Sequence, residues 1–328
     1  MCTAITYTTN DFYFGRTLDY ETSYLETVTI TPRSYPLPFR HLPTIPRHFA
    51  ITGMAYVCDN YPLYYDAINE VGLGMAGLNF VGNARYNSVT DDRTNIATFE
   101  FIPYILSQCQ TVSEAQKLID TINLTDTPFN DTLPPAPLHW IIADRDRAIT
   151  VEASQYGINA YTNPVGVLTN NPPFPEQMQN LTNYMHLSPK PPKNKFAPQI
   201  DLVPDSRGMG AMGLPGDLSS QSRFVRATFT KLNSVSGTGE MESVGQFFHI
   251  LNTVSQTRGC CEVEGGVYEI TIYTSCANAT RGIYYYTTYN NHQINAVDMH
   301  RKNLEGDKLI SYPLKDKENI HFQNFLSR

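Results

Sequence analysis

The stretch that decides the reading is residues 1–21, MCTAITYTTNDFYFGRTLDYE. Thr, Ile and Tyr dominate 3–8, and a polar "TNDF" turn separates that run from 12–17, so the spacing predicts a strand hairpin. Pairing would bring Arg16 close to Cys2 and put Asp19 where the second strand ends. Two readings of Cys2 are open at this point. In one it is a small residue at a fraying end, with Arg16 and Asp19 an exposed ion pair worth about 0–1 kcal/mol. In the other, Met1 is trimmed because the residue behind it is small, and Cys2 then carries a thiol and a free α-amine. Such an amine has an ordinary pKa of about 7.7–8.0. It can take the thiol proton without a histidine, as the amine of an N-terminal threonine nucleophile does. A neighbouring guanidinium favours the thiolate, and a carboxylate can hold the amine.

The rest of the chain bounds what this hairpin can belong to. Of 328 residues, 41% are apolar and 17% charged, with no low-complexity tract, so a folded core is expected. The net charge of -7 argues against binding nucleic acid or an anionic membrane. No secretory signal or membrane span is visible, which predicts a cytoplasmic protein without a membrane anchor. The six cysteines form no C-x-x-C pair and the eight histidines no metal-ligand spacing, so free thiols and no metal are expected.

Further strands are predicted at 26–33, 138–144, 148–154 and 267–275, and a hairpin over 282–299. Helices are predicted at 98–109, at 113–122 with Ser113 as N-cap, at 219–235 behind a serine cap, and at 243–255. The apolar stripe of the third helix is Phe224, Val225, Phe229 and Leu232. Strands cluster at both ends of the chain and helices come in pairs, which suits layered sheets between helices better than βαβ alternation. The Pro-rich stretches 32–46 and 189–198 read as loops, leaving one domain over 1–328. "GLGMAG" (72–77) and "GMGAMG" (208–213) fit G-x-G-x-x-G, but neither opens a helix that could offer its N-terminus to a pyrophosphate. Glycines in turns and in closely approached strands explain both.

"MCTAI", "YFGRTLDYE" and "ITPR" resemble the N-terminal block of the choloylglycine hydrolase family, the bile salt hydrolases and penicillin V acylases among the N-terminal nucleophile (Ntn) hydrolases. "NEVGLGMAGLNF" (69–80), "PLHWIIAD" (137–144), "PVGVLTNNPPF" (164–174), "GLPGDLSSQSRFVRA" (213–227), "QFFHILN" (246–252) and "GIYYYTTYNNHQINAVDM" (282–299) resemble family blocks in the same order. The likeness is nearer to bile salt hydrolases of Gram-positive gut bacteria than to the penicillin V acylases. It implies an α+β, four-layer αββα sandwich, an amide hydrolase without metal or organic cofactor, and a homotetramer. Residue by residue, Cys2 resembles the nucleophile, Arg16 the cation beside it and Asp19 the carboxylate that orients the amine. Asn79 and Asn170 resemble the oxyanion-hole pair, and Arg223 the second arginine bordering the sulfur.

The implied substrates are conjugated bile acids, rigid apolar steroids with an anionic tail, which call for an apolar groove opening toward Cys2. Leu18 is well placed for it by sequence. Phe129 and Leu133 resemble pocket-loop positions, and Tyr24 and Tyr65 are further candidates. Penicillin V acylases of the family often carry tyrosine where this chain has Asn79, which favours bile salts. The rivals are a penicillin V or acyl-homoserine lactone acylase and, in another class, a catalytically silent binding protein on the same scaffold.

Overall fold

A computed structural model describes residues 1–324, and in it the N-terminal hairpin forms with Cys2 opposite Leu18 and Ala4 opposite Arg16. In chain order the strands are β1 (Cys2–Thr8), β2 (Phe12–Tyr20), β3 (Thr27–Thr31), β4 (Ile51–Cys58), β5 (Tyr61–Asn69), β6 (Gly74–Asn79), β7 (Thr94–Ala97), β8 (Ile122–Thr125), β9 (Leu138–Ala143), β10 (Ala148–Ser154), β11 (Gly157–Thr162), β12 (Val167–Leu168), β13 (Ile270–Asn278), β14 (Ile283–Thr288), β15 (Asn291–Asp298) and β16 (Ile310–Pro313). The helices are α1 (Phe101–Gln108), α2 (Val112–Ile119), α3 (Phe174–Asn180), α4 (Ser220–Asn233) and α5 (Glu240–Asn252).

A six-stranded sheet runs β12-β1-β2-β13-β14-β15 and an eight-stranded sheet β11-β10-β9-β6-β5-β4-β3-β16, both antiparallel. Helices α4 and α5 pack on the first, and α1 and α2 on the second. This is the α+β, four-layer αββα arrangement. One apolar cluster joins Ile5 and Phe14 to Met54 and Ile141 across the sheets and to Phe224 and Phe247 of α4 and α5. Another packs Phe101, Ile105 and Val112 under Met75, Trp140 and Ile142. Position Gly74 shows how tightly the sheets meet: a Cβ there would lie 2.7 Å from the Phe14 ring. That close approach accounts for part of "GLGMAG". In "GMGAMG", Gly208 and Gly213 take positive φ around a short turn (82° and 94°).

Several expectations need correction. β1 and β2 are buried on both faces, because one sheet and two helices cover them, so alternation is weak. β2 continues to Tyr20, which leaves Asp19 inside the strand. The second helix is capped by Thr111, whose Oγ1 accepts from the Glu114 N–H at 3.2 Å, and Ser113 lies inside it. Residue 122 belongs to β8. Leu232, on the outer end of α4, is exposed, and the buried run of that helix is Ser222–Thr228. Strand β13 starts at Ile270, later than expected. Strands β4, β5 and β6 are additions to the expected set, although turn residues bound them: Asp59 and Asn60, both at positive φ, join β4 to β5, and Gly72, at φ 98°, lies between β5 and β6.

Candidate active site

Cys2 opens β1 at the foot of a cavity of about 450 Å³. It is only 3% exposed. The cavity is walled by Leu18, Tyr24, Tyr65, Phe129 and Leu133, together with Arg16, Asp19 and Asn79. All five residues expected of a substrate groove therefore line one space with the cysteine. Asn170 and Arg223 meet Cys2 at its backbone, Asn170 Oδ1 accepting from the Cys2 N–H and Arg223 Nη1 donating to Cys2 O.

Antiparallel pairing puts Arg16 and Cys2 on neighbouring strands two positions out of register. The Arg16 side chain is fully buried, so each of its N–H groups needs an acceptor. It finds backbone oxygens: Thr17 O at 3.1 Å, Tyr65 O at 3.2 Å and Gly77 O. Burial works against its charge, but the Cys2 thiol, Tyr273, Asp66 and Asp19 outweigh burial and raise its pKa. Asp66 is held in turn by the hydroxyls of Tyr273 (2.6 Å), Tyr284 (2.7 Å) and Ser275 (2.9 Å).

Arg223 stands in the first turn of α4, where a cation opposes the helix dipole. Its guanidinium is spent elsewhere. It donates to Cys2 O at 2.5 Å, Thr3 Oγ1 at 2.6 Å, Asn170 Oδ1 at 2.8 Å and Leu218 O at 3.0 Å. Burial pulls its pKa down, against Asp19 and Cys2. Asp19 Oδ2 lies 4.0 Å from Arg223 Nη1 and accepts from Thr17 Oγ1 (3.0 Å), while Oδ1 accepts from Thr271 Oγ1 (2.6 Å). Burial still raises the Asp19 pKa, with Arg223 and the N-terminal ammonium opposing it.

The Asn170 amide is oriented by its partners: Oδ1 accepts from the Cys2 N–H at 2.8 Å and from Arg223, and Nδ2 donates to Asn79 O at 2.8 Å. Ser220 Oγ accepts from the Asn170 N–H. Among the described residues the Asn79 side chain makes no hydrogen bond, and it faces the cavity. The Met1 ammonium donates to Asp19 O and to Glu269 Oε1, both at 2.5 Å. Burial raises the Glu269 pKa against that ammonium.

Sequence reasoning missed Glu269, Thr271 and Asp66. No local motif marks them, because each reaches the site through sheet pairing with β2 or through packing between the sheets. Among the described residues there is no cluster of three His, Cys, Asp or Glu side chains able to hold a metal ion, and no helix is long and apolar enough to cross a membrane.

A family model described as linear amide C–N hydrolases, choloylglycine hydrolase family, matches residues 2–312. The chain is 52% identical to a bile salt hydrolase/transferase of Lactiplantibacillus plantarum, over 99% of this chain and 100% of that protein. It is 37% identical to a conjugated bile acid hydrolase of Lactobacillus gasseri, over 95% of this chain and 100% of that one. The structure superimposes on that of a mutant conjugated bile acid hydrolase from Clostridium perfringens with a TM-score of 0.92 at 33% identity, covering 99% of this chain and 100% of the other.

Proposed function

The chain belongs to the choloylglycine hydrolase family of linear amide C–N hydrolases, and we propose that it cleaves the amide bond of glycine- or taurine-conjugated bile acids with Cys2 as nucleophile. The observation that carries this reading is one juxtaposition. A buried cysteine flanked by two buried arginines stands at the foot of an apolar cavity of about 450 Å³, a size that suits a steroid-class ligand.

The chemistry follows from the contacts. Removal of Met1 turns the Cys2 nitrogen into an amine, with Asn170 Oδ1 as its acceptor at 2.8 Å. The amine takes the thiol proton as sulfur bonds to the substrate carbonyl carbon. Negative charge then develops on the carbonyl oxygen. Asn79 has an unengaged amide facing the cavity, and Asn170 Nδ2 has a second hydrogen beyond the one given to Asn79 O. Each such donor is worth about 3 kcal/mol of transition-state stabilisation. The carbon–nitrogen bond breaks as the ammonium returns its proton to the leaving amine, glycine or taurine. Water, deprotonated by the same amine, hydrolyses the thioester, releases the bile acid and restores the thiol. An amine that intercepts the thioester instead would make the reaction a transfer, as the name of the L. plantarum relative implies for that protein. Arg16 and Arg223 keep the surroundings of the sulfur positive, and Asp19 keeps Arg223 and the N-terminus in place.

The chain functions as one catalytic domain in the cytoplasm and assembles as a homotetramer. Exposed Met185, Phe196, Val203 and Met212, all in one long irregular segment, support assembly. Light scattering at micromolar concentration checks it, and a monomeric mass refutes it. For the reaction, release of glycine, taurine and phenoxyacetate from glycocholate, taurocholate and penicillin V is compared in one assay. Faster cleavage of the bile salts is expected, and a clear lead for penicillin V overturns the substrate assignment. Intact mass of the purified enzyme must lack Met1, since its retention in an active enzyme refutes the amine mechanism.

A further inference from the structure

Both asparagines of the proposed oxyanion hole sit next to the same buried histidine. His139, on β9, is 0% exposed, and Glu152, on β10, is 3% exposed. His139 Nδ1 lies 3.2 Å from Glu152 Oε1, and Nε2 lies 2.8 Å from Thr169 O, the carbonyl immediately before Asn170. The same Glu152 Oε1 accepts from the Phe174 N–H at 2.8 Å. The imidazole stacks on Phe80, the residue immediately after Asn79, with ring centroids 4.3 Å apart and planes 7° from parallel. Leu78, immediately before Asn79, is the pairing partner of His139 on β6.

A fully buried imidazole and carboxylate are costly unless their hydrogen bonds do something apolar side chains cannot. What these bonds do is bridge the sheets. β9 belongs to the eight-stranded sheet, whereas Thr169 continues β12, the edge strand of the six-stranded sheet. The segment 169–174 is therefore tied at its first residue by His139 and at its last by Glu152, and Asn170 lies between the ties.

We propose that His139 and Glu152 are positioning residues: the pair clips both ends of the 169–174 segment, stacks against the residue that follows Asn79, and thereby sets the spacing of the two amides around the reacting carbonyl. The proposal rests on the oxyanion role given above to Asn79 and Asn170. Neither His139 nor Glu152 lines the cavity, so neither touches substrate. A misplacement of about 1 Å at such donors costs about 10²-fold in rate.

The test is a double-mutant cycle on glycocholate hydrolysis by the full-length enzyme. His139→Phe keeps a ring against Phe80 and removes both polar contacts. It is expected to lower kcat at least about tenfold with KM within about twofold, while the rate of Cys2 alkylation by iodoacetamide stays near wild type. His139→Gln, which can still donate to Thr169 O, should recover part of the loss. In the Asn170→Ala background His139→Phe should cost less than about twofold more, because its effect runs through Asn170. Full additivity, or a folded His139→Phe enzyme with wild-type kcat, overturns the clamp. If His139→Phe does not fold, Glu152→Gln takes its place in the cycle under the same two criteria. Failure of the underlying reading looks different: either the wild type does not cleave glycocholate, or Asn170→Ala alone leaves kcat unchanged.

Discussion

The two ends of the cavity are built by unlike means. At the foot, Cys2, Arg16 and Asp19 come from two paired strands buried on both faces, and every charged side chain there has several short partners within the core. At the wall, Phe129 and Leu133 come from an irregular segment held by aromatic contacts. Phe129 meets the Phe99 ring edge-on at 5.1 Å and lies 5.3 Å from the Arg40 guanidinium, which also donates to Phe129 O at 2.6 Å. Asn130 closes a turn there by accepting from the Thr132 and Leu133 N–H groups. The foot is fixed by a hydrogen-bonded network that permits one arrangement, and the wall by contacts that tolerate several. Changes at the foot should therefore act on kcat, and changes at the wall on KM.

The largest effect should come from the thiol itself. Cys2→Ala is expected to lose at least about 10³-fold in turnover of glycocholate while retaining bile-acid binding by calorimetry, since the wall is untouched. Appreciable turnover in that variant refutes the nucleophile. Asn79→Ala comes next, with kcat down about 10²–10³-fold and KM near wild type. A rise in KM at unchanged kcat would assign Asn79 to the wall instead.

A third prediction sharpens the description of the foot by its response to pH. Burial raises the Asp66 pKa from its ordinary 3.8, although Arg16, Tyr273, Tyr284 and Ser275 all pull it down. A carboxyl with a raised folded-state value favours folding in its protonated form. Its contribution to stability is fully present below the unfolded value and is lost as pH rises through the folded one. The Tm of wild type relative to that of Asp66→Asn should therefore fall as pH is raised from 3.8, a difference read by calorimetry across a pH series. An Asp66→Asn curve parallel to that of the wild type would mean that Asp66 does not titrate in this way.

This contrast also explains what the sequence made legible. The hairpin was readable because its two strands are contiguous, and register alone brings Arg16 near Cys2. The resemblance located Asn79, Asn170 and Arg223, which no spacing argument could have joined. Thr111, rather than Ser113, caps α2 because either hydroxyl suits the position and only the backbone decides. Glu269 and Asp66 stayed hidden because a single acid in a β-rich run reads as a solvated residue until a partner strand or a neighbouring sheet buries it. The same holds for His139 and Glu152, whose link crosses from one sheet to the other.

The smallest effect should be at the wall, and it is the sharpest test of the division. Phe129→Ala removes a ring that touches Tyr61 and Phe99 as well as the cavity, so stability falls with affinity. Arg40→Ala is cleaner. Arg40 does not line the cavity, yet it stacks on Phe99 and Phe129 and holds the Phe129 carbonyl. An exposed cation–π contact is worth about 0.5–1 kcal/mol, and loosening the wall by that amount corresponds to about a two- to fivefold rise in KM. The value of kcat should stay within about twofold, because no group at the foot is in contact with Arg40. Steady-state kinetics on glycocholate separate the two parameters. If Arg40→Ala lowers kcat instead, the wall and the foot are mechanically coupled, and the aromatic segment is part of the catalytic apparatus rather than a fitted surface beside it.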